Sequence, residues 1–324
     1  MENRGVAALP LLSIIVPCHN GENTIGHALR SIPKLENVEV VVVDDASTDN
    51  SVDVLRAIVA DRQGFAVTLL QNEKNLGAGE SRNLGIANAR GQYLTFLDCD
   101  DEFAPGACEA IIDTVNSKHC DCLMFDALMQ RGERWKSFKC FISPTVKGGW
   151  VSPKEAIVYS QNPPWGKVYL RKKVTNSNAR FGHQIISEDT VFTKSALACM
   201  DDIFYLDKPL YLYIERAGSL MHTRAAVDRA GVYEQIKVFL ETKEGCVISQ
   251  DELNNLYYTL VVYPTLTDMI RARRPSGEIS LRFDKLINKY HRQDPYFDRL
   301  VPKYKLAYTL GSARLLGLLK AVIR

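Results

Sequence analysis

The chain has 324 residues, which at about 100–200 residues per domain allows two or three domains with a sizeable core. Its composition is 46% hydrophobic, 24% charged and 9% aromatic, with 20 Gly and 13 Pro, and excludes collagenous, mucin-like and low-complexity chains. Forty Lys and Arg against 38 Asp and Glu leave a formal net charge of +2, which excludes a broad phosphate-neutralising surface for nucleic acid.

Eight cysteines, Cys18, Cys99, Cys108, Cys120, Cys122, Cys140, Cys199 and Cys246, are scattered without paired zinc spacing and read as reduced thiols of a cytoplasmic protein. The first residues run straight into a strand pattern, so a signal peptide is not expected. No apolar run reaches the roughly 18–20 residues that span a bilayer.

In chain order, short β-rich runs alternate with helical patterns, the arrangement that builds a mostly parallel sheet covered by helices. A strand is expected over 12–16, a helix over 24–31 stopped by Pro33, and a doubly covered strand over 38–43. A helix over 51–60, a strand over 67–71, a helix over 78–89 and a strand over 93–97 follow. The pattern then loosens: a helix over 107–116, a strand over 122–125, a mixed stretch to Gly149, a helix over 153–159, and strands over 165–170 and 204–206. The block 227–324 is helical in pattern.

Two acidic clusters fall at expected strand ends, where α/β sheets bind ligands. In Asp44-Asp45-Ala46-Ser47-Thr48-Asp49, the residues Ser47, Thr48 and Asp49 suit capping of the following helix. Asp45, beside a second carboxylate, suits a ribose or base contact instead. Asp98-Cys99-Asp100-Asp101 crowds three carboxylates into four residues, and a divalent cation would relieve their repulsion. Oxygen ligands of this kind suit Mg²⁺ or Mn²⁺ shared with substrate phosphates. Asn75-Leu76-Gly77 leads into a helix carrying Arg82, a combination suited to an anion. Glu188-Asp189 opens a further helical pattern and fits either a first-turn dipole pair or a catalytic pair.

Taken together, Ser13-Ile14-Ile15-Val16-Pro17, Val43-Asp44-Asp45-Ala46-Ser47, Asn75-Leu76-Gly77 with Ser81-Arg82-Asn83, and Phe96-Leu97-Asp98-Cys99-Asp100-Asp101 resemble the family 2 glycosyltransferases of the GT-A fold. The resemblance is dense over 11–106 and sparser through Trp165-Gly166-Lys167, Glu188-Asp189 and 211–219. It implies an α/β fold, a Rossmann-like nucleotide-binding mixed sheet flanked by helices, with a C-terminal helical extension. Residues 1–225 would form the catalytic domain, with 1–110 holding the nucleotide sugar and 111–225 the acceptor, and 226–324 the helical region.

The implied reaction is inverting transfer of a sugar from a nucleoside diphosphate donor, UDP above all, to a hydroxyl of a glycan or lipid-linked glycan in bacterial surface glycan assembly. By the resemblance Pro17 and Asp45 lie against the nucleotide, Arg82 near the base or diphosphate, and Asp98 at the ribose. Asp100 would ligate Mn²⁺ or Mg²⁺, with His222 or Ser219 completing the site. Asp189 matches the catalytic base, with Glu188 beside it at the acceptor. His19 departs from the tyrosine usual before the Asn of the first motif. Trp165 fits an acceptor-stacking or a core position.

An inactive nucleotide-sugar-binding module of the same fold is the main alternative. A response-regulator receiver leaves the first strand unexplained, and a Rossmann dehydrogenase lacks G-x-G-x-x-G after it. Over 310–324, Leu315, Leu316, Leu318, Leu319, Val322 and Ile323 fall on one helical arc, opposite Arg314, Lys320 and Arg324. Such a face fits peripheral membrane contact, the protein's own helical block, or a homodimer.

Overall fold

Strand β1 (Leu12–Cys18) is buried along its whole length because the sheet is covered on both faces there. The computed structural model describes residues 9–61, 66–143, 145–182, 188–215 and 229–242, with positions 249, 252, 253, 256 and 260. β1 pairs in parallel with β2 (Val38–Asp44) on one side and β4 (Tyr93–Phe96) on the other, and β2 pairs in parallel with β3 (Ala66–Gln71). The alternating residues Leu12, Ile14, Val16 and Cys18 face helices α1 (Ile25–Arg30), α2 (Ser51–Asp61) and α4 (Ala107–Lys118) in one core. Ile15 points the other way, onto α3 (Ala78–Asn88), where Gly85 allows the close approach: a Cβ there would sit 2.4 Å from Ile15 Cγ2.

Beyond β4 the sheet is no longer parallel. β9 (Lys167–Leu170) runs antiparallel to β4 and to β6 (Cys122–Arg131), β10 (Ile203–Tyr213) is parallel to β6, and β5 (Glu102–Phe103) closes the edge antiparallel to β10. β7 (Arg134–Phe138) is added on β6, and β8 (Gly149–Val151) on β10. The sheet is therefore mixed, and the mostly parallel expectation holds only for its first half. Helices α5 (Pro153–Tyr159), α6 (Arg171–Asn176) and α7 (Glu188–Leu197) belong to the second half. Phe192 of α7 stacks on Phe181 at 4.1 Å between centroids, and both meet Phe96 of β4 edge-on. That aromatic cluster fixes the start of α7 over the end of β4.

The described cysteines are free thiols. The chain divides into two compact units, Met1–Val227 and Asp228–Arg324. In the second, α8 (Arg229–Thr242) buries Val232, Ile236 and Leu240 at helical spacing. The amphipathic stretch 310–324 lies outside the described residues.

Candidate active site

The carboxyl ends of β2, β1 and β4 lie side by side, the edge at which parallel sheets bind ligands. After β1, His19 Nδ1 donates to the Asp45 carbonyl at 2.8 Å, and its Nε2 accepts from Asn20 Nδ2 at 3.2 Å. A carbonyl can only accept, so the proton sits on Nδ1. His19 is a tie between two loops. Asn20, at φ +53°, accepts from Thr48 N at 2.8 Å and donates its own N–H to Ser47 Oγ at 2.9 Å. Asp49 accepts from Ser51 N and Glu22 N, each at 3.0 Å, so Ser47, Thr48 and Asp49 knit the helix start to the β1 loop.

Asp45 is 2% exposed with both oxygens engaged. Oδ1 accepts from Asn72 Nδ2 at 2.7 Å and Leu76 N at 2.9 Å, and Oδ2 accepts from Gly77 N at 2.7 Å. The carboxylate latches the loop between β3 and α3, where Gly77 takes a φ of +89° that a side chain would oppose. Asp44 is different. Its Oδ2 accepts from Ser47 N at 3.3 Å, while Oδ1 is buried with no hydrogen-bond partner among the described residues. In the sequence the adjacent Asp44 and Asp45 carry no signal that singles out Asp44 for this role. Pro17 is buried inside β1 opposite Val43.

Arg82, on the buried side of α3 and 6% exposed, is the hub of the site. Nη2 donates to Asp98 Oδ1 at 2.7 Å, Nη1 donates to Glu188 Oε1 at 3.3 Å, and the guanidinium lies 5.3 Å from the Phe181 ring centroid. Burial works against the charge, but Asp98, Glu188 and Asp189 together hold the guanidinium more firmly protonated than an ordinary arginine. Its Nε is buried without a partner among the described residues.

The acidic turn after β4 distributes its three charges unequally. Asp98 is held by Arg82. Asp101 is turned inward, accepting from Tyr211 Oη at 2.7 Å and Ile214 N at 2.8 Å. Burial, then Asp98 and Asp100, push its carboxyl up to about 8. Tyr211 in turn accepts from Asp98 N at 3.2 Å and stacks on Trp165, with centroids 4.6 Å apart and planes 7° from parallel. Trp165 is thus core, and the acceptor-stacking reading is not what this placement serves. Asp100 lies half-buried between its two neighbours. Among the described residues, no three His, Cys, Asp or Glu side chains converge on a metal position.

Glu188 and Asp189 open α7 across from this turn. Burial raises both carboxyls above their ordinary values; their mutual repulsion adds to it for Glu188, and Arg82 opposes it for each. Gly79 of α3 permits the approach, since a Cβ there would lie 2.9 Å from Glu188 Cγ. Two lysines that sequence reasoning did not place here complete the surroundings. Lys167 is fully buried and Lys194 is 1% exposed, and Asp189 is an electrostatic neighbour of both. Burial, then the Lys167 charge, depress the Lys194 ammonium to about 7. Lys167 was visible within Trp165-Gly166-Lys167; Lys194 gave no signal, for Thr193-Lys194-Ser195 reads as an ordinary polar turn of helix. Ser219 and His222 lie outside the described residues.

The structure thus joins Asp98, Arg82, Glu188 and Asp189 into one cluster, while Asp45 and Pro17 sit along the adjacent strand ends. The sequence description Glycosyl transferase family 2 matches residues 13–160, the span holding both acidic clusters and Arg82. Over that span the chain is similar to the family 2 glycosyltransferases. A Campylobacter jejuni relative named GalNAc(5)-diNAcBac-PP-undecaprenol beta-1,3-glucosyltransferase is 26% identical over 306 residues, 93% of this chain and 86% of the relative. Staphylococcus aureus TarS residues 1–349, solved in complex with UDP-GlcNAc, superposes with a TM-score of 0.65 at 22% identity, covering 94% of this chain and 92% of that one. The mannosyltransferase PcManGT of Pyrobaculum calidifontis, solved with GDP-Man and Mn²⁺, superposes with a TM-score of 0.53 at 15% identity over 98% and 88%. The chain therefore shares the GT-A fold of these glycosyltransferases.

Proposed function

We propose that this glycosyltransferase moves a sugar from a nucleoside diphosphate donor, with UDP the expected nucleotide, to a hydroxyl of a glycan or lipid-linked glycan in a single inverting displacement. The observation that carries the reading is the Arg82 bridge, which couples Asp98 on the donor side to Glu188, and through it Asp189, on the opposite side. The acceptor oxygen attacks the anomeric carbon, the bond from that carbon to the diphosphate oxygen breaks, and the leaving group takes the electron pair. Asp189 receives the hydroxyl proton. Burial raises its pKa and makes it a stronger base than a surface aspartate, and the Arg82 charge opposes that rise. Glu188, tied to Arg82, orients the pair.

On the donor side, the unpartnered Oδ1 of Asp44 suits an N–H of the base or a ribose hydroxyl, and Asp45 acts there by fixing the 72–77 loop. Asp98 and Pro17 border the same edge. A hard divalent cation fits this chemistry: Asp100 would hold it, and so few protein carboxylates suit Mg²⁺ or Mn²⁺ carried largely by diphosphate and water. Such an ion supplies positive charge against the departing diphosphate. The Mn²⁺ in PcManGT and the UDP-GlcNAc in TarS support this reading, and the undecaprenol-linked acceptor of the Campylobacter relative supports a lipid-linked glycan. We place the enzyme in the cytoplasm at the membrane face, with the amphipathic 310–324 sequence contacting lipid or a second copy.

The test is a panel of UDP- and GDP-sugars with nucleotide release measured for the wild type and Asp189→Asn. Turnover should fall by roughly 10²–10⁴ in the variant with donor binding little changed. Near-normal turnover in Asp189→Asn together with loss in Glu188→Gln would exchange the two roles. Donor binding without any release would make the protein a binding module.

A further inference from the structure

The strap between α5 and β9 is held in a way that the proposed reaction does not by itself require. Ser160 O accepts from Lys194 Nζ at 2.6 Å, and the same ammonium lies 3.2 Å from Ser160 Oγ. Asn162 O accepts from Thr193 Oγ1 at 2.8 Å, and Pro163 O accepts from Lys167 Nζ at 2.8 Å. Gln161 N donates to Cys140 O at 2.8 Å. Four consecutive residues are thus pinned, two of them by buried ammonium groups, a costly choice for satisfying carbonyls. Such a clamp restricts backbone motion far more than a link to solvent would.

The clamp also sets position. Thr193 follows Asp189 by four residues on α7, so the two share a helix face about 6 Å apart at Cβ. The Asn162 backbone, bonded to Thr193, therefore lies within about one helical turn of the proposed base. Gln161 and Asn162 are half-buried, and neither side-chain amide makes a hydrogen bond among the described residues. Each amide offers two N–H donors and a carbonyl acceptor, the complement of a sugar hydroxyl.

We propose that Gln161 and Asn162 form an acceptor subsite for a polyhydroxylated sugar, with Thr193, Lys194 and Lys167 as positioning residues that hold it beside Asp189. The proposal rests on the reading of Asp189 as the base.

Nucleotide release from the active donor is measured with octyl β-D-glucopyranoside, octyl β-D-galactopyranoside and octyl N-acetyl-β-D-glucosaminide as acceptors, against donor hydrolysis in water. Asn162→Ala and Gln161→Ala should each raise the acceptor KM about 5- to 10-fold, the worth of one net hydrogen bond, with donor KM and hydrolysis within about twofold. Thr193→Val should act in the same direction and Thr193→Ser should restore the wild-type KM. Unchanged acceptor KM in both alanine variants, equal loss of hydrolysis and transfer, or no glycoside raising release above hydrolysis would overturn the subsite. If Asp189→Asn kept its turnover while the amide variants raised acceptor KM, the base assignment alone would fall.

Discussion

In the proposed mechanism Arg82 joins donor side to acceptor side, because one guanidinium holds carboxylates that lie 90 positions apart in the chain, at Asp98 and Glu188. Arg82→Met should lower unfolding free energy by about 2–5 kcal/mol, the cost of leaving enclosed charges unpaired. Arg82→Lys keeps the charge but offers a single point in place of a fork, and turnover should fall about 10²-fold through misplacement of Glu188 and Asp189. Equal activity in Arg82→Lys would show that the bridge is structural only. Lys194 gives a pH test. Its ammonium is depressed to about 7 from 10.5, so above pH 7 the folded chain releases a proton that the unfolded chain keeps until about 10.5. Stability from this group therefore rises with pH across that window. Denaturant unfolding at pH 7 and 8.5 should show wild type gaining on Lys194→Met by up to about 1.4 kcal/mol per pH unit; a constant difference would contradict a buried ammonium. For activity, the base must be ionised, so kcat/KM should fall as acidity rises through the elevated Asp189 pKa, and that limb should disappear in Asp189→Asn.

At the scale of elements, α3 has two glycines with different tasks. Gly85→Ala pushes on Ile15 in the middle of β1 and should cost about 1–3 kcal/mol of stability with little change in KM. Gly79→Ala pushes on Glu188 and should lower turnover more than stability, measured by comparing kcat with the denaturation midpoint. Elements built on long apolar runs or clear helical spacing were legible in the sequence: β1, β2, β4, α2, α3 and α4 lie within a few residues of their expected bounds. Elements without periodicity were not. β5 and β8 are too short to show alternation, and β7 is an exposed polar edge strand paired only with β6. β10 was expected only over 204–206, yet it continues to Tyr213, past Pro209, by shifting register on both sides of that proline. The site was legible where chemistry is local, as in Asp98-Cys99-Asp100-Asp101. It was not legible where partners come from afar: Tyr211 claims Asp101 across 110 positions, and the loop latch on Asp45 needs backbone N–H groups that no side-chain pattern reveals.

For the molecule as a whole, the proposed mechanism uses only the first unit, in which every described candidate site residue falls. UDP at 100 times its dissociation constant should add about 2.7 kcal/mol to the stability of the full chain, and EDTA should demand a higher UDP concentration for the same gain. Among the described residues no helix is long and apolar enough to cross a membrane. Co-sedimentation of the full chain with anionic vesicles, compared with a chain lacking 310–324, checks that segment: binding that survives the deletion would remove it from the account. The proposed reaction is a single displacement with Asp189 as base opposite the departing diphosphate. The anomeric configuration of the product, read by proton NMR from an α-linked UDP-sugar donor, decides it: a β-linked product is expected, and an α-linked product would rule out the single displacement.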